Sequence, residues 1–213
     1  YKKKNFSNFN DFNEIKKNFI FECEDYCILN KPYGYASQDG SKVKKNIIDT
    51  LKISSKNYYM VHRLDKETSG LMLLAKNRYH AIKFSEMFKS REIKKRYLVI
   101  INGKIKKNKG ELHTKEKSNG KAIESKLSFE VISKKNNFSY LEVDLITGRK
   151  HQIRKQFSNI GHVIVGDTKY GDNKNKTPLC LLSYKIEFKY QKKIKKYKAI
   201  MPEYFKNSLE KFF

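Results

Sequence analysis

The distribution of apolar residues predicts an α+β fold, in which a mixed, mostly antiparallel β-sheet core is flanked by helices. Apolar side chains alternate with polar ones over residues 127–131 and 141–145, a pattern typical of half-buried antiparallel strands. Ala81, Phe84 and Phe88 recur at helical spacing instead. Strands outnumber helices, and no repeated strand–helix–strand rhythm of the kind that builds parallel sheets runs through the whole chain.

In the first half of the chain, residues 1–18 are polar and basic, and we expect them to form an arm or linker ahead of one domain over residues 19–213. Asn46 is placed to cap a short helix that ends near Leu51. The remaining predicted elements of this half are strands at 19–21, 26–29 and 71–75 and a helix at 78–89.

The second half carries more strand-like segments than helical ones. Ile153, Phe157 and Ile160 lie at i, i+4 and i+7, which predicts a helix over 151–160. The other predicted elements are strands at 97–101, 127–131, 141–145 and 182–188 and a terminal helix at 202–213.

The chain has 47 basic and 22 acidic side chains, a net charge of +25. Such a field attracts polyanions, so RNA, DNA and anionic membranes are all candidate partners. A Lys-rich composition of the kind that an AT-rich genome produces is an alternative explanation for part of this charge. Against that background the few arginines stand out, because only Arg offers a planar fork of donors.

The cysteines, the possible metal ligands and the length of the apolar stretches indicate which kinds of protein this can be. Three cysteines cannot all pair, which favours reduced thiols and a cytoplasmic protein. Cys23, Cys27 and the histidines lack zinc-site spacing, so we expect no metal. No apolar stretch has the length of a membrane span.

Two segments combine charged and polar residues in a way that suggests a site. In the first, His62-Arg63-Leu64-Asp65 precedes a predicted buried strand, and loops fixed on a rigid scaffold are where catalytic groups concentrate. The alternative is that Asp65 caps a turn and Arg63 is a surface charge. The second segment runs from Thr147-Gly148-Arg149-Lys150-His151-Gln152-Ile153-Arg154 through 161–167 to Lys169-Tyr170-Gly171-Asp172.

Together with Asn30-Lys31-Pro32 and Lys94-Lys95-Arg96-Tyr97-Leu98, these motifs resemble, in order, the RluA-type family of RNA pseudouridine synthases, above all members that modify large-subunit ribosomal RNA. The resemblance covers about residues 19–213 and implies the pseudouridine synthase fold with a central active-site cleft. It implies an isomerase that flips a uridine out of RNA and converts it to pseudouridine without a cofactor. We expect a cytoplasmic monomer whose partner is RNA, with transfer RNA as the alternative substrate. A non-catalytic RNA-binding or ribosome-assembly factor on the same fold is the other alternative.

The resemblance assigns the catalytic roles to Asp65, Tyr97 and Arg154. Asp65 would attack ribose C1′ or remove a proton from C2′, and both routes need it ionised. Because burial disfavours a charge, a cation must stand beside it, and Arg154 matches the family's partner. Tyr97 matches the tyrosine that stacks on the target base. The alternatives are a solvated Arg154 on an amphipathic helix and a Tyr97 at the edge of the core.

The remaining assignments concern RNA binding. Arg63 matches the arginine that fills the space of the flipped nucleotide, whereas His62 is expected to be structural. The chain departs from the family at Lys155-Gln156, where a His is usual, and this bears on subfamily and target. The residues expected to bind RNA are Arg63, Lys95, Arg96, Arg149, Lys150, His151 and Gln152.

Overall fold

More residues lie in strands than in helices in a computed structural model that describes residues 9–38, 46–54, 56–118, 121–172 and 177–213. The chain divides into two compact units, Tyr1–Glu92 and Ile93–Phe213. Strands and helices occur in both, and all the strand pairings within each unit are antiparallel. The predicted α+β class is therefore confirmed.

The first unit is organised around one fully buried strand. The elements are α1 (Phe9–Lys17), β1 (Phe19–Glu22), β2 (Tyr26–Lys31), α2 (Ile47–Leu51), β3 (Tyr59–Met60), β4 (Ser69–Ala75) and α3 (Arg78–Lys89). All seven residues of β4 are buried, and its last five form a continuous apolar run. β2 pairs with β4 and with β1, and β3 also pairs with β4.

Both predicted helices of this unit are confirmed. The side chain of Asn46 accepts a hydrogen bond from the Asp49 N–H and so caps α2. Helix α3 has the predicted bounds, and its buried face is formed by Phe84 and Met87.

Residues 9–17 of the predicted basic arm form the helix α1 and make contacts with the rest of the unit. Ile15 is fully buried, and the Tyr35 hydroxyl lies 2.7 Å from a Glu14 carboxylate oxygen and 3.2 Å from one of Asp11. These contacts come from residues more than twenty positions away, so the local composition did not reveal them. Residues 1–8 lie outside the described residues.

The elements of the second unit are β5 (Lys94–Asn102), β6 (Lys109–Ser118), β7 (Lys121–Lys135), β8 (Phe138–Leu145), α4 (Gln152–Asn159), β9 (Leu181–Tyr190), β10 (Lys193–Lys198) and α5 (Glu203–Phe212). Its six strands form an antiparallel arrangement in the order β10-β9-β5-β8-β7-β6. Helix α4 packs on these strands through an edge-to-face contact between Phe157 and Phe129. β6 was not predicted, because its sequence KGELHTKEKS has a single aliphatic residue.

A β-bulge interrupts the pairing of β5 with β9 beside Tyr97. Ser183 lies opposite Tyr97 and Lys185 lies opposite Arg96, which leaves Tyr184 as the extra residue. The predicted alternation along β9 therefore breaks at Tyr184, which is only half-buried. Bulges are over-represented next to active sites, where they re-aim side chains.

Gly166 gives a direct test of this fold. It has φ +81°, and a Cβ there would overlap the backbone oxygen of Pro178, whereas Gly161 has φ +78° with nothing within 4 Å. Gly161→Ala should cost about 1–2 kcal/mol of unfolding free energy, from the left-handed backbone alone. Gly166→Ala should cost about 1–3 kcal/mol more, because backbone overlap cannot be relieved by a rotamer change. Urea denaturation measures both, and equal losses would contradict the close approach.

Candidate active site

Asp65 lies in a tight turn that leads directly into β4. Its carbonyl oxygen accepts a hydrogen bond from the Thr68 N–H at 3.0 Å, and the buried residues Thr68 and Ser69 begin the strand. The Asp65 side chain itself is half-buried. The turn thus places a carboxylate at the end of a rigid strand.

The residue before Asp65 is bound at both of its backbone groups. The Ser37 hydroxyl donates to the Leu64 carbonyl at 2.6 Å and accepts from the Leu64 N–H at 3.0 Å. Ser37 is itself buried. A buried hydroxyl that satisfies both groups leaves the backbone ahead of Asp65 little freedom.

The residue after Asp65 is bound by Lys31, which is 1% exposed. The Lys31 ammonium donates to the carbonyl oxygens of Tyr35, Pro32 and Lys66 at 2.8, 3.0 and 3.3 Å. The three donors of an ammonium match these three acceptors. Burial lowers the pKa of Lys31 to about 7, and the negative charge of Asp65 opposes that shift. Lys31 is therefore both a backbone clamp and a nearby cation for Asp65.

The role of Lys31 was missed in the sequence analysis, where it served only as part of a motif. A lysine among the apolar residues of β2, directly before a proline, is the signal that could have revealed it. Buried lysines are rare unless their donors are satisfied.

His62 has the structural role expected of it, and Arg63 is exposed. His62 Nε2 accepts a hydrogen bond from the Leu73 N–H at 2.9 Å, which requires the tautomer protonated on Nδ1. Its ring lies 4.3 Å from the Phe88 ring. His62 therefore continues the contacts along β4, while Arg63 projects to the surface.

In the second unit, Arg154 is buried in an ion pair with Asp167. Arg154 Nε and Nη2 each donate to an Asp167 oxygen at 2.7 Å, and both side chains are almost fully buried. Asp167 also accepts the N–H groups of Lys169 and Tyr170. Burial acts to raise the pKa of Asp167, but the hydrogen bonds from Arg154 and from these N–H groups lower it overall.

This ion pair corrects one alternative from the sequence, because Arg154 is not a solvated residue. Its pairing with Asp65 stays a prediction. A guanidinium has five N–H donors, and the contact with Asp167 uses Nε and one Nη, so a second carboxylate on Arg154 is chemically compatible with the first. Asp167 was quoted as part of a motif but not recognised as the partner.

Tyr97 and Lys95 lie on the same face of β5, where alternate residues point the same way. Tyr97 is 5% exposed, and burial lowers the pKa of Lys95. The Lys95 ammonium lies 3.3 Å from the position that a Cβ would take at Gly148. Burial of Tyr97 suits a core position as well as a covered base-stacking platform, so its catalytic role stays a prediction.

Arg96 points to the opposite face from Tyr97. Its guanidinium binds Glu142 at 2.9 Å and Asp144 at 2.8 Å, and its pKa is raised, chiefly by Asp144. RNA binding by Arg96 stays a prediction, but it would occur on a different face from Lys95.

The segment 149–152 divides into exposed and buried residues. Arg149 and Lys150 are exposed, and His151, at φ +53°, has its Nδ1 3.0 Å from the Tyr170 hydroxyl. Gln152 is only 4% exposed and its amide is hydrogen-bonded within the protein. RNA binding by Gln152 stays a prediction, and the internal hydrogen bonds of its buried amide favour an indirect role over a direct phosphate contact.

The described part of the chain contains no group of three or more His, Cys, Asp or Glu side chains arranged to hold a metal ion. Within the same residues, no helix is both long and apolar enough to cross a membrane. The thiols of Cys23, Cys27 and Cys180 are free, and burial raises the pKa of Cys27 to about 12. Cys27 is thus an unreactive core thiol.

The chain belongs to the RNA pseudouridylate synthase family, whose model matches residues 25–159. A protein of Rickettsia bellii named ribosomal large subunit pseudouridine synthase C is 38% identical over 171 residues, 73% of this chain and 57% of the relative. A Pasteurella multocida protein of the same name is 30% identical over 86% of this chain and 63% of its own length.

A solved structure supports the fold. The human protein named RNA Pseudouridylate Synthase Domain Containing 4 superposes with a TM-score of 0.81 at 22% identity, covering 93% of this chain and 94% of that one. The chain spans little more than half the length of the Rickettsia relative that it matches, 57%.

The pH dependence of stability tests the burial of Lys31. Its pKa of about 7 in the folded state lies below that of a lysine in the unfolded chain. The unfolded state therefore binds more protons between these values, and stability rises with pH in this window. The unfolding free energy of the wild type minus that of Lys31→Met should increase from about pH 7 to about pH 9.

The control is Lys198→Met, which removes an exposed lysine. Urea denaturation at a series of pH values measures each difference. If the difference in unfolding free energy between the wild type and Lys31→Met depended on pH as little as that for Lys198→Met, the lowered pKa of Lys31 would be contradicted.

Proposed function

We propose that this chain is an RNA pseudouridine synthase that isomerises uridines of large-subunit ribosomal RNA, with Asp65 as the essential carboxylate. Membership of the family supports the reaction class, and the names of the relatives support the substrate. The observation that carries the assignment to Asp65 is the fixing of its backbone by Ser37 on one side and Lys31 on the other.

The reaction breaks the bond between ribose C1′ and uracil N1, turns the base, and joins C5 to C1′. An ionised Asp65 acts either as the nucleophile at C1′ or as the base at C2′. The C5 proton is lost at the end and a proton is gained at N1, so no oxidant, reductant or cofactor is consumed.

Two basic side chains stand beside Asp65 in this proposal. Lys31 supplies one positive charge from the same unit. Arg154 supplies the second, in the predicted pairing with Asp65. Tyr97 stacks on the detached uracil, and Arg63 fills the gap left by the flipped nucleotide, whose extrusion costs a few kcal/mol.

Exposed basic side chains bind the RNA phosphates in this proposal. Arg149 and Lys150 are exposed and contact phosphates in this proposal. His151 follows them in the chain, and the Lys95 ammonium lies 3.3 Å from the position that a Cβ would take at Gly148. We propose a monomer that acts in the cytoplasm on RNA alone. Free thiols fit a reducing compartment.

Tritium release tests the proposal. Ribosomal and transfer RNA transcripts labelled at uracil C5 are incubated with the chain without a cofactor. Isomerisation replaces the C5 hydrogen, so we expect release from large-subunit RNA. Asp65→Asn keeps the shape but not the charge, and should lower the rate by at least about 10²-fold. Arg154→Lys should also lose activity, because Lys lacks the guanidinium fork.

Asp144→Asn is the matched control, since Asp144 is an exposed carboxylate paired with Arg96, and it should retain the wild-type rate. Release from transfer RNA alone would move the proposal to that substrate. Tight RNA binding without release from any transcript would favour the non-catalytic RNA-binding factor. Full activity of Asp65→Asn would exclude the mechanism.

A further inference from the structure

Gln156 of α4 bonds to both strands of the β6–β7 hairpin. Its side chain is 2% exposed. The amide nitrogen lies 3.1 Å from the carbonyl oxygens of Leu112 and Ser125 and 3.2 Å from the Thr114 hydroxyl. The amide oxygen accepts a hydrogen bond from Gln152 at 3.0 Å. One side chain thus ties the helix to two strands and to a second amide.

Gln152 extends this network to the loop before α4. Its nitrogen also donates to the Lys126 carbonyl at 3.0 Å. Its oxygen accepts from the Thr147 hydroxyl at 2.7 Å and from the Arg149 N–H at 3.0 Å. The Thr147 hydroxyl in turn accepts from the Lys126 N–H at 2.8 Å. The chain of bonds is continuous from the hairpin to the backbone of Arg149.

The loop so held presents two exposed cations, Arg149 and Lys150. Arg149 is fixed further by a hydrogen bond from its Nε to the Glu124 carbonyl at 3.3 Å. Among the described residues, neither cation has a carboxylate in ion-pair contact. Lys155, by contrast, is paired with Glu116.

We infer that the buried Thr147–Gln152–Gln156 network is a positioning device that holds Arg149 and Lys150 in place to bind the phosphate backbone of RNA. This inference rests on the proposed function for the identity of the ligand. A loop ordered before binding loses less conformational freedom in the complex. Buried polar networks rigidify a structure when every member is satisfied, so loss of one amide should loosen the loop.

The network is separate from the group that fixes Arg154. The side chain of Arg154 is held by Asp167, and no hydrogen bond of the network passes through that pair. Weakening the network should therefore raise KM and leave kcat within about twofold, since uniform binding is lost without a change at the reacting atoms.

The test compares RNA binding by four variants over a range of salt concentrations. Gln156→Met keeps the length of the side chain but removes its hydrogen bonds, and Thr147→Val removes one hydroxyl. Arg149→Ala removes a proposed phosphate contact directly. The control is Ser139→Ala, which deletes a buried hydroxyl that bonds to Gly103 and Ile105.

Each phosphate contact adds about 0.7–0.9 to the slope of log Kd against log salt. We expect Arg149→Ala to lower the slope by about 1. Gln156→Met should lower it by about 1–2, because both cations lose their fixed position. Ser139→Ala should lose stability but keep the wild-type slope. Circular dichroism checks folding, and Thr147→Val, with a smaller drop in slope, decides the matter if Gln156→Met does not fold.

A wild-type slope for Gln156→Met, alongside a reduced slope for Arg149→Ala, would overturn the inference. So would an unchanged slope for Arg149→Ala, or a fall in kcat at constant KM. Because the slope is measured by binding alone, it is independent of isomerisation. If the wild type binds RNA but releases no tritium, the proposed activity fails. The salt slopes of the variants still test whether the network positions Arg149 and Lys150.

Discussion

The peptide backbone around Asp65 is bound on both sides, and the proposed chemistry depends on that constraint. Ser37 satisfies both backbone groups of Leu64, and Lys31 binds the carbonyl of Lys66. The turn closes on Thr68, where the fully buried β4 begins. A carboxylate that must meet one ribose carbon gains most of its effect from being held in position. Because the stem of Lys31 is buried in β2, its amine is held in a fixed position next to this turn.

Charge serves two different purposes in this molecule. The chain has a net charge of +25, and the exposed lysines among the described residues attract polyanions through a field that salt screens. Arg154 and Asp167 instead form a buried ion pair. Removal of either side chain would leave an unpaired buried charge and strongly destabilise the folded protein. Buried pairs fix geometry, whereas exposed lysines supply attraction. The proposed contact loop at Arg149 and Lys150 combines both features, since its cations are exposed and its backbone is held by buried amides.

Most elements could be predicted from the local spacing of their apolar residues, because that spacing differs between strands and helices. The run Leu71–Ala75 suffices to predict β4, and the helical spacing of Ala81, Phe84 and Phe88 suffices to predict α3. Helix α1, strand β6 and the partner of Arg154 depend on residues distant in the chain, so no local pattern contains them. The motifs point to Asp65 and Arg154 as site residues only through the resemblance. They did not reveal that Gln152 faces inward, because a polar side chain reads as exposed until its partners are known.

Amide hydrogen exchange and steady-state kinetics of Ser37→Ala would test most directly whether a fixed Asp65 is the source of activity. The Leu64 N–H loses its acceptor in this variant, so its exchange should accelerate. The account predicts that kcat falls by about tenfold or more at unchanged KM, since a small displacement of a reacting group is costly. Accelerated exchange at Leu64 with an unchanged kcat would contradict it.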